Sequence, residues 1–124
     1  MAVLADTSVW VDHLRLGDAR LAVLLEAGEI MIHAFVIGEV ALGSLAARTT
    51  VLALLDGLEA APIAEPSEVR VLVERHRLFG RGIGYVDAHL IASCLLRPAL
   101  RLWTRDRRLG DAARDLGVGL ELEA

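Results

Sequence analysis

Short apolar runs alternate along the chain with segments in which apolar residues recur every three or four positions. Residues 2–5 are apolar throughout and too few for a helix, which predicts a buried strand. Asp6-Thr7-Ser8 follows, the residue types that open helices, and a helix is expected from about 8 to 15. Gly17-Asp18 breaks the pattern; Leu21, Leu24 and Leu25 then form a helical stripe up to Gly28. Residues 30–33 predict a second short strand. Residues 35–47 are apolar almost all round, which predicts a deeply buried or interface helix, and 50–58 a further short one.

Pro62 and Pro66 bound a connection expected to hold a short strand at 62–63. Pro66 or Ser67 opens the next helix, with Glu68 in its first turn. Val69, Leu72, Val73 and His76 share one face of it, and Arg70, Glu74 and Arg77 the other. Gly80-Arg81-Gly82-Ile83-Gly84 predicts a flexible loop, and 86–96 a buried helix stopped by Arg97-Pro98. A strand at 100–103, a helix at 107–116 ending at Gly117 and a last strand at 119–122 complete the pattern. Short apolar strands alternating with helices imply an α/β fold, a short central parallel sheet flanked by helices. With no repeat, low-complexity tract or linker, residues 1–124 are expected to form one domain.

Composition narrows this picture. Hydrophobic residues make up 55%, which excludes disorder, and aromatics only 4%, so the core must rest on Leu, Val, Ala and Ile. No apolar run reaches the roughly 20 residues that span a bilayer, and no basic segment precedes the first apolar stretch as in a signal peptide. The single cysteine, Cys94, cannot form an internal disulfide, which fits a cytoplasmic protein. The formal charge is −4 and all 13 basic side chains are arginine. An acidic total argues against a nucleic-acid partner unless bound metal cancels part of it.

Four acids stand apart from other charges. Asp6 lies between apolar runs, Glu39 is the only Asp, Glu or Arg between Ile30 and Ala47, Asp87 the only one between Gly82 and Leu96, and Asp106 follows Leu-Trp-Thr-Arg. An interior carboxylate is costly unless paired, and these segments offer no obvious basic partner. Four acids brought together would raise one another's pKa or demand a cation, and a hard divalent ion suits an all-oxygen site. Asp6 and Asp106 follow predicted strands, at the carboxyl end of the sheet where α/β sites lie. Taken singly, Asp6 is equally a helix cap, and Glu39 or Asp87 a partner for a distant arginine. The glycine loop lacks dinucleotide-binding spacing, and His13, His33, His76 and His89 lack zinc-ligand spacing. Trp10 and Trp103 are expected in the core or at a partner contact.

Four motifs carry a resemblance over essentially the whole chain: Leu4-Ala-Asp6-Thr-Ser8, Phe35-Val-Ile-Gly-Glu39-Val, Gly82-Ile-Gly-Tyr-Val-Asp87-Ala-His-Leu and Leu102-Trp-Thr-Arg-Asp106-Arg-Arg-Leu. In this order the chain resembles a PIN-domain ribonuclease, specifically a VapC-type toxin of a toxin–antitoxin pair. The resemblance implies that Asp6, Glu39, Asp87 and Asp106 bind Mg²⁺ or Mn²⁺, and that Thr7 or Ser8 and Thr104 support them. It implies single-stranded RNA as substrate, cut to a 5′-phosphate and 3′-hydroxyl, a cognate antitoxin and a toxin homodimer, to which 35–47 and 51–58 are expected to contribute. Arg81 and Arg107 are candidates for substrate phosphate, against ion pairs with Asp111 or Asp115. The alternative is a non-catalytic PIN-like module that binds a partner. A phosphatase or phospho-receiver is disfavoured by the absence of lysine, and a related DNA nuclease stays open.

Overall fold

The computed structural model describes residues 1–121. Its sheet is built from β1 (Ala2–Ala5), β2 (Ile30–Ile32), β3 (Glu59–Ala60) and β4 (Leu100–Trp103), all parallel, in the order β3-β2-β1-β4. Val3, Leu4 and Ala5 are fully buried, as expected of a central strand covered on both faces. Between strands run α1 (Thr7–Leu16), α2 (Ala19–Glu26), α3 (Ala34–Ala41), α4 (Arg48–Asp56), α5 (Pro66–Arg75) and α6 (Tyr85–Leu96), and α7 (Arg107–Asp115) follows β4. α6 packs on β4 and α5, and α1 packs on α3. Every residue of α6 from Ala88 to Cys94 is buried, including the Cys94 thiol, which burial pushes up to about 12.

Sheet order positions the site. β2 and β3 extend the sheet on one side of β1, and β4 adds on the other. Crossovers therefore leave β1 and β4 in opposite senses, and a crevice opens beyond the carboxyl ends of these two strands. Asp6 follows β1 directly, and its backbone N–H donates to the Trp103 carbonyl at the end of β4, 2.9 Å away.

Three expected elements differ. The helix expected over 35–47 ends at Ala41. Gly43 and Ser44 are poor helix formers, and the Arg48 guanidinium turns back to the carbonyls of Ala41 (2.5 Å) and Gly43 (3.3 Å), capping the end with positive charge. The strand expected at 62–63 lies at Glu59–Ala60 instead. The ladder finishes with the Ala61 N–H on the Ile32 carbonyl, and Pro62 has no N–H to extend it. The strand expected at 119–122 is a single bridge between Leu102 and Gly119, flanked by Leu102 N–H to Val118 and Leu120 N–H to Leu102; Leu122 lies outside the described residues. Among the described residues no helix is long and apolar enough to cross a membrane.

Candidate active site

Three of the four isolated acids sit at helix N-termini. Asp6 caps α1 and accepts from Val9 N–H at 3.2 Å. Asp106 caps α7 and accepts from Arg108 N–H at 2.8 Å and Leu109 N–H at 3.1 Å. Asp87 lies in the first turn of α6, where Oδ2 accepts from Gly84 N–H at 2.9 Å. The partly positive amide ends of three helices thus hold negative charge at one edge of the sheet. Glu39 comes from the middle of α3 and is reached from α1, whose Thr7 hydroxyl donates to Glu39 Oε1 at 2.6 Å.

The hydroxyls act on carboxylates rather than as caps. Ser8 Oγ donates to Asp6 Oδ1 at 2.5 Å and accepts from Arg105 N–H at 3.0 Å. Thr104 donates to Asp6 Oδ2, and its oxygen accepts from Asp106 N–H at 3.0 Å. Both oxygens of Asp6 are therefore held in one orientation. Arg105 fastens the loop between β4 and α7 to the other side, pairing with Asp12 at 3.0 Å and with Asp18. That pair, with the stronger pull of the Leu21 N–H, holds the Asp18 carboxyl below the usual carboxylate range.

Burial separates the four acids. Asp6 is buried and Asp87 half-buried, while Glu39 and Asp106 are exposed. The expectation that each lies in the interior holds for Asp6 alone. Val36 and Val40 form the buried face of α3, and Glu39, beside that face and not on it, is left exposed at the rim. Burial raises the pKa of Asp87 above the ordinary carboxylate value, and the charges of Asp6, Asp106 and Glu39 raise it further against the opposing Gly84 hydrogen bond. The four acids thus share an electrostatic field. Among the described residues, however, no three acidic, histidine or cysteine side chains form a metal-ligand cluster. The donor set fits a hard divalent cation in chemistry, since it is all carboxylate and hydroxyl oxygen and its own repulsion falls on Asp87.

The arginines divide. Arg81 pairs with Asp115 at 2.8 Å, bringing the glycine loop against α7. Arg108, an exposed side chain free to move, lies over Gly82, and it is the φ of +79° that calls for glycine there. Arg107 is exposed and makes no ion pair among the described residues. Trp10 and Trp103 are core residues. Sequence reasoning passed over a ring cluster beside the acids. His33, fully buried at the end of β2, caps α3 through Nδ1, which accepts from Phe35 N–H at 2.9 Å. It faces His89, Phe35 lies against both imidazoles, and Tyr85 lies against His89. The signal was present in Tyr85 and His89, four residues apart on one helix face.

A family model for the PIN domain matches residues 3–115, and the chain belongs to the PIN-domain family. The chain is 50% identical over 121 residues to ribonuclease VapC32 of Mycobacterium tuberculosis strain H37Rv, an alignment covering 98% of each. Ribonuclease VapC32 of strain CDC 1551 / Oshkosh matches at the same identity and coverage.

Proposed function

We propose that the chain is an endoribonuclease toxin that hydrolyses RNA phosphodiester bonds with Mg²⁺ or Mn²⁺ held by Asp6, Glu39, Asp87 and Asp106. The single observation that carries the reading is the setting of Asp87, a half-buried acid whose proton affinity is raised first by burial and then by carboxylates from three other parts of the chain. Two relatives at 50% identity, each named a ribonuclease, support RNA as the substrate.

The divalent ion supplies charge to polarise the scissile phosphate and to make the attacking water more acidic. The remaining work falls to side chains. Ser8 and Thr104 fix the two oxygens of Asp6, and Thr7 fixes one oxygen of Glu39. Oδ2 of Asp87 is engaged by Gly84, which leaves Oδ1 to accept the proton of the attacking water. Arg107 contacts a substrate phosphate. Arg81 joins it only by leaving Asp115, a surface pair worth about 1 kcal/mol or less.

Such an enzyme needs restraint, and the reading includes a cognate antitoxin and a toxin homodimer. A groove of about 520 Å³ between α1, α3 and α4 suits the apolar face of an antitoxin helix. Val11, Leu14, Leu16, Val40 and Leu45 line it, together with Glu39.

The test is cleavage of a total-RNA pool with Mg²⁺ or Mn²⁺, with EDTA, with the antitoxin added, and by Asp87→Asn. Discrete cuts are expected with metal. Chelation or the antitoxin should abolish them, and the substitution should slow them about 10²–10⁴-fold. Cutting that survives both EDTA and Asp87→Asn would overturn the site. No cutting by folded, metal-loaded, antitoxin-free protein would assign the chain to the non-catalytic, partner-binding alternative.

A further inference from the structure

Two aromatic side chains stand in the open beside the acids. Tyr85, the first residue of α6, is 55% exposed, and Phe35, in the first turn of α3, is 37% exposed. Both lean on His89, which is buried, with ring centroids 4.6 Å and 4.8 Å away. The rings cross the imidazole plane at 86° and 70°, so neither is stacked flat upon it. Neither nitrogen of His89 has a hydrogen-bond partner among the described residues, which marks its place as a floor under the two rings rather than part of a polar network.

Their positions tie them to the acids. Tyr85 follows Gly84 directly, whose N–H holds the Asp87 carboxylate, and its ring turns to the side of α6 that carries His89 rather than Asp87. Phe35 precedes Glu39 by four on α3, so it lies on the same face about 6 Å along the axis. Gly38, three residues after Phe35 and so beside it on the helix surface, is exposed, and a Cβ added there meets nothing within 4 Å. An open shelf therefore lies beside the Phe35 ring.

We propose that Tyr85 and Phe35 form a base-stacking platform, receiving unpaired nucleobases of a single-stranded RNA next to the scissile phosphate. The inference rests on the ribonuclease reading. A bound metal and Arg107 engage phosphates, but the chain carries a net charge of −4, so contacts that ignore charge are needed to add to that affinity. Stacking on an aromatic ring is such a contact, and it tolerates any base. Bases locked in a duplex present no free face, so the platform selects unpaired strands. The glycine shelf has room for a flat ring, whereas a partner protein's helix would need a longer apolar stripe than one ring on each of two helices.

The experiment measures kcat and KM on a short single-stranded oligoribonucleotide spanning a mapped cut. Tyr85→Leu and Phe35→Leu are each expected to lower kcat/KM about 5- to 100-fold, mainly through KM, whereas Tyr85→Phe stays within about twofold. Gly38→Leu fills the shelf without threatening the fold, since leucine favours helix over glycine, and it is expected to lower kcat/KM similarly. Abasic residues next to the cut should weaken wild-type cleavage by the same factor and add nothing to the Tyr85→Leu defect. Unchanged kcat/KM in the ring and shelf variants, with unaltered melting temperature, overturns the proposal. So does an abasic penalty equal in wild type and Tyr85→Leu. Variants that cleave normally but lose antitoxin affinity assign the rings to the protein partner, which also overturns it. A wild-type protein that cuts no RNA removes the ribonuclease reading itself, an outcome distinct from normal cutting by every variant.

Discussion

Thr104 joins the first and last acids of the site through one side chain, donating to Asp6 and accepting from the Asp106 backbone. Valine has nearly the same shape and can do neither. Thr104→Val is therefore expected to lower kcat/KM about 10–100-fold, the usual cost of removing a group that orients a ligand, with little change in melting temperature; Thr104→Ser should recover most of the loss. Equal kcat/KM for Val and Thr would show that Asp6 needs no such support. At this scale the sequence said what chemistry was present and less about how it was arranged. Isolation among apolar residues singled out four candidate acids, of which only Asp6 is buried, because a run of residues does not say which helix face points inward. Thr7 and Ser8 read equally well as caps. The structure gives the cap to Asp6 and frees both hydroxyls for carboxylates, a division that depends on contacts across 32 residues for Thr7.

The start of α3 shows how an element is set by the core beneath it. His33 caps the helix with Nδ1 and is fully buried, and burial, helped by neighbouring His89, lowers its pKa from 6.5 to about 4. Because the folded pKa lies below the unfolded one, this stabilisation is complete above about pH 6.5 and is lost as pH falls towards 4. At pH 5 the loss from this one residue comes to roughly 2 kcal/mol, at about 1.4 kcal/mol per tenfold in proton affinity. His33→Asn keeps a good cap and removes the proton. Its urea midpoint should fall less than that of wild type between pH 7.5 and pH 5, and an equal fall would refute this assignment. Some slope should remain, since burial lowers His89 as well. Most elements were legible from periodicity, β4 to the residue. At α3 and β3 the apolar pattern outweighed weaker local signals, Gly43-Ser44 and the Pro62 without an N–H, and it does not show the contacts that set the bounds, Arg48 on the Ala41 carbonyl and β3 pairing with β2.

For the whole molecule, alternating strands and helices indicated a parallel sheet but not the order β3-β2-β1-β4, since order follows from how crossovers pack and not from any one strand. The placement of two candidate acids was legible all the same: Asp6 and Asp106 follow β1 and β4, which lie side by side, whereas Glu39 and Asp87 arrive on helices. What the outer surface meets is testable at this scale. Leu42 is 90% exposed and Leu54 68%, within the segments expected to form a homodimer. A stable dimer buries about 800 Å² per partner and hides such side chains. The purified chain should sediment as a dimer at micromolar concentration, and the Leu42→Glu, Leu54→Glu double variant as a folded monomer. A monomeric wild type would refute the dimer.

The bond between Thr104 and Asp6 spans 98 residues, and the Asp6 amide waits for the carbonyl of Trp103. During synthesis, Asp6 emerges with only Ser8 and Val9 to bond, and its partners around β4 emerge after β1, β2 and β3. Partial chains therefore lack both the strand that closes the crevice and Asp106. A protein proposed to destroy RNA would in this way spare the message being translated to make it, and a ribosome that stalls before β4 would release a harmless fragment.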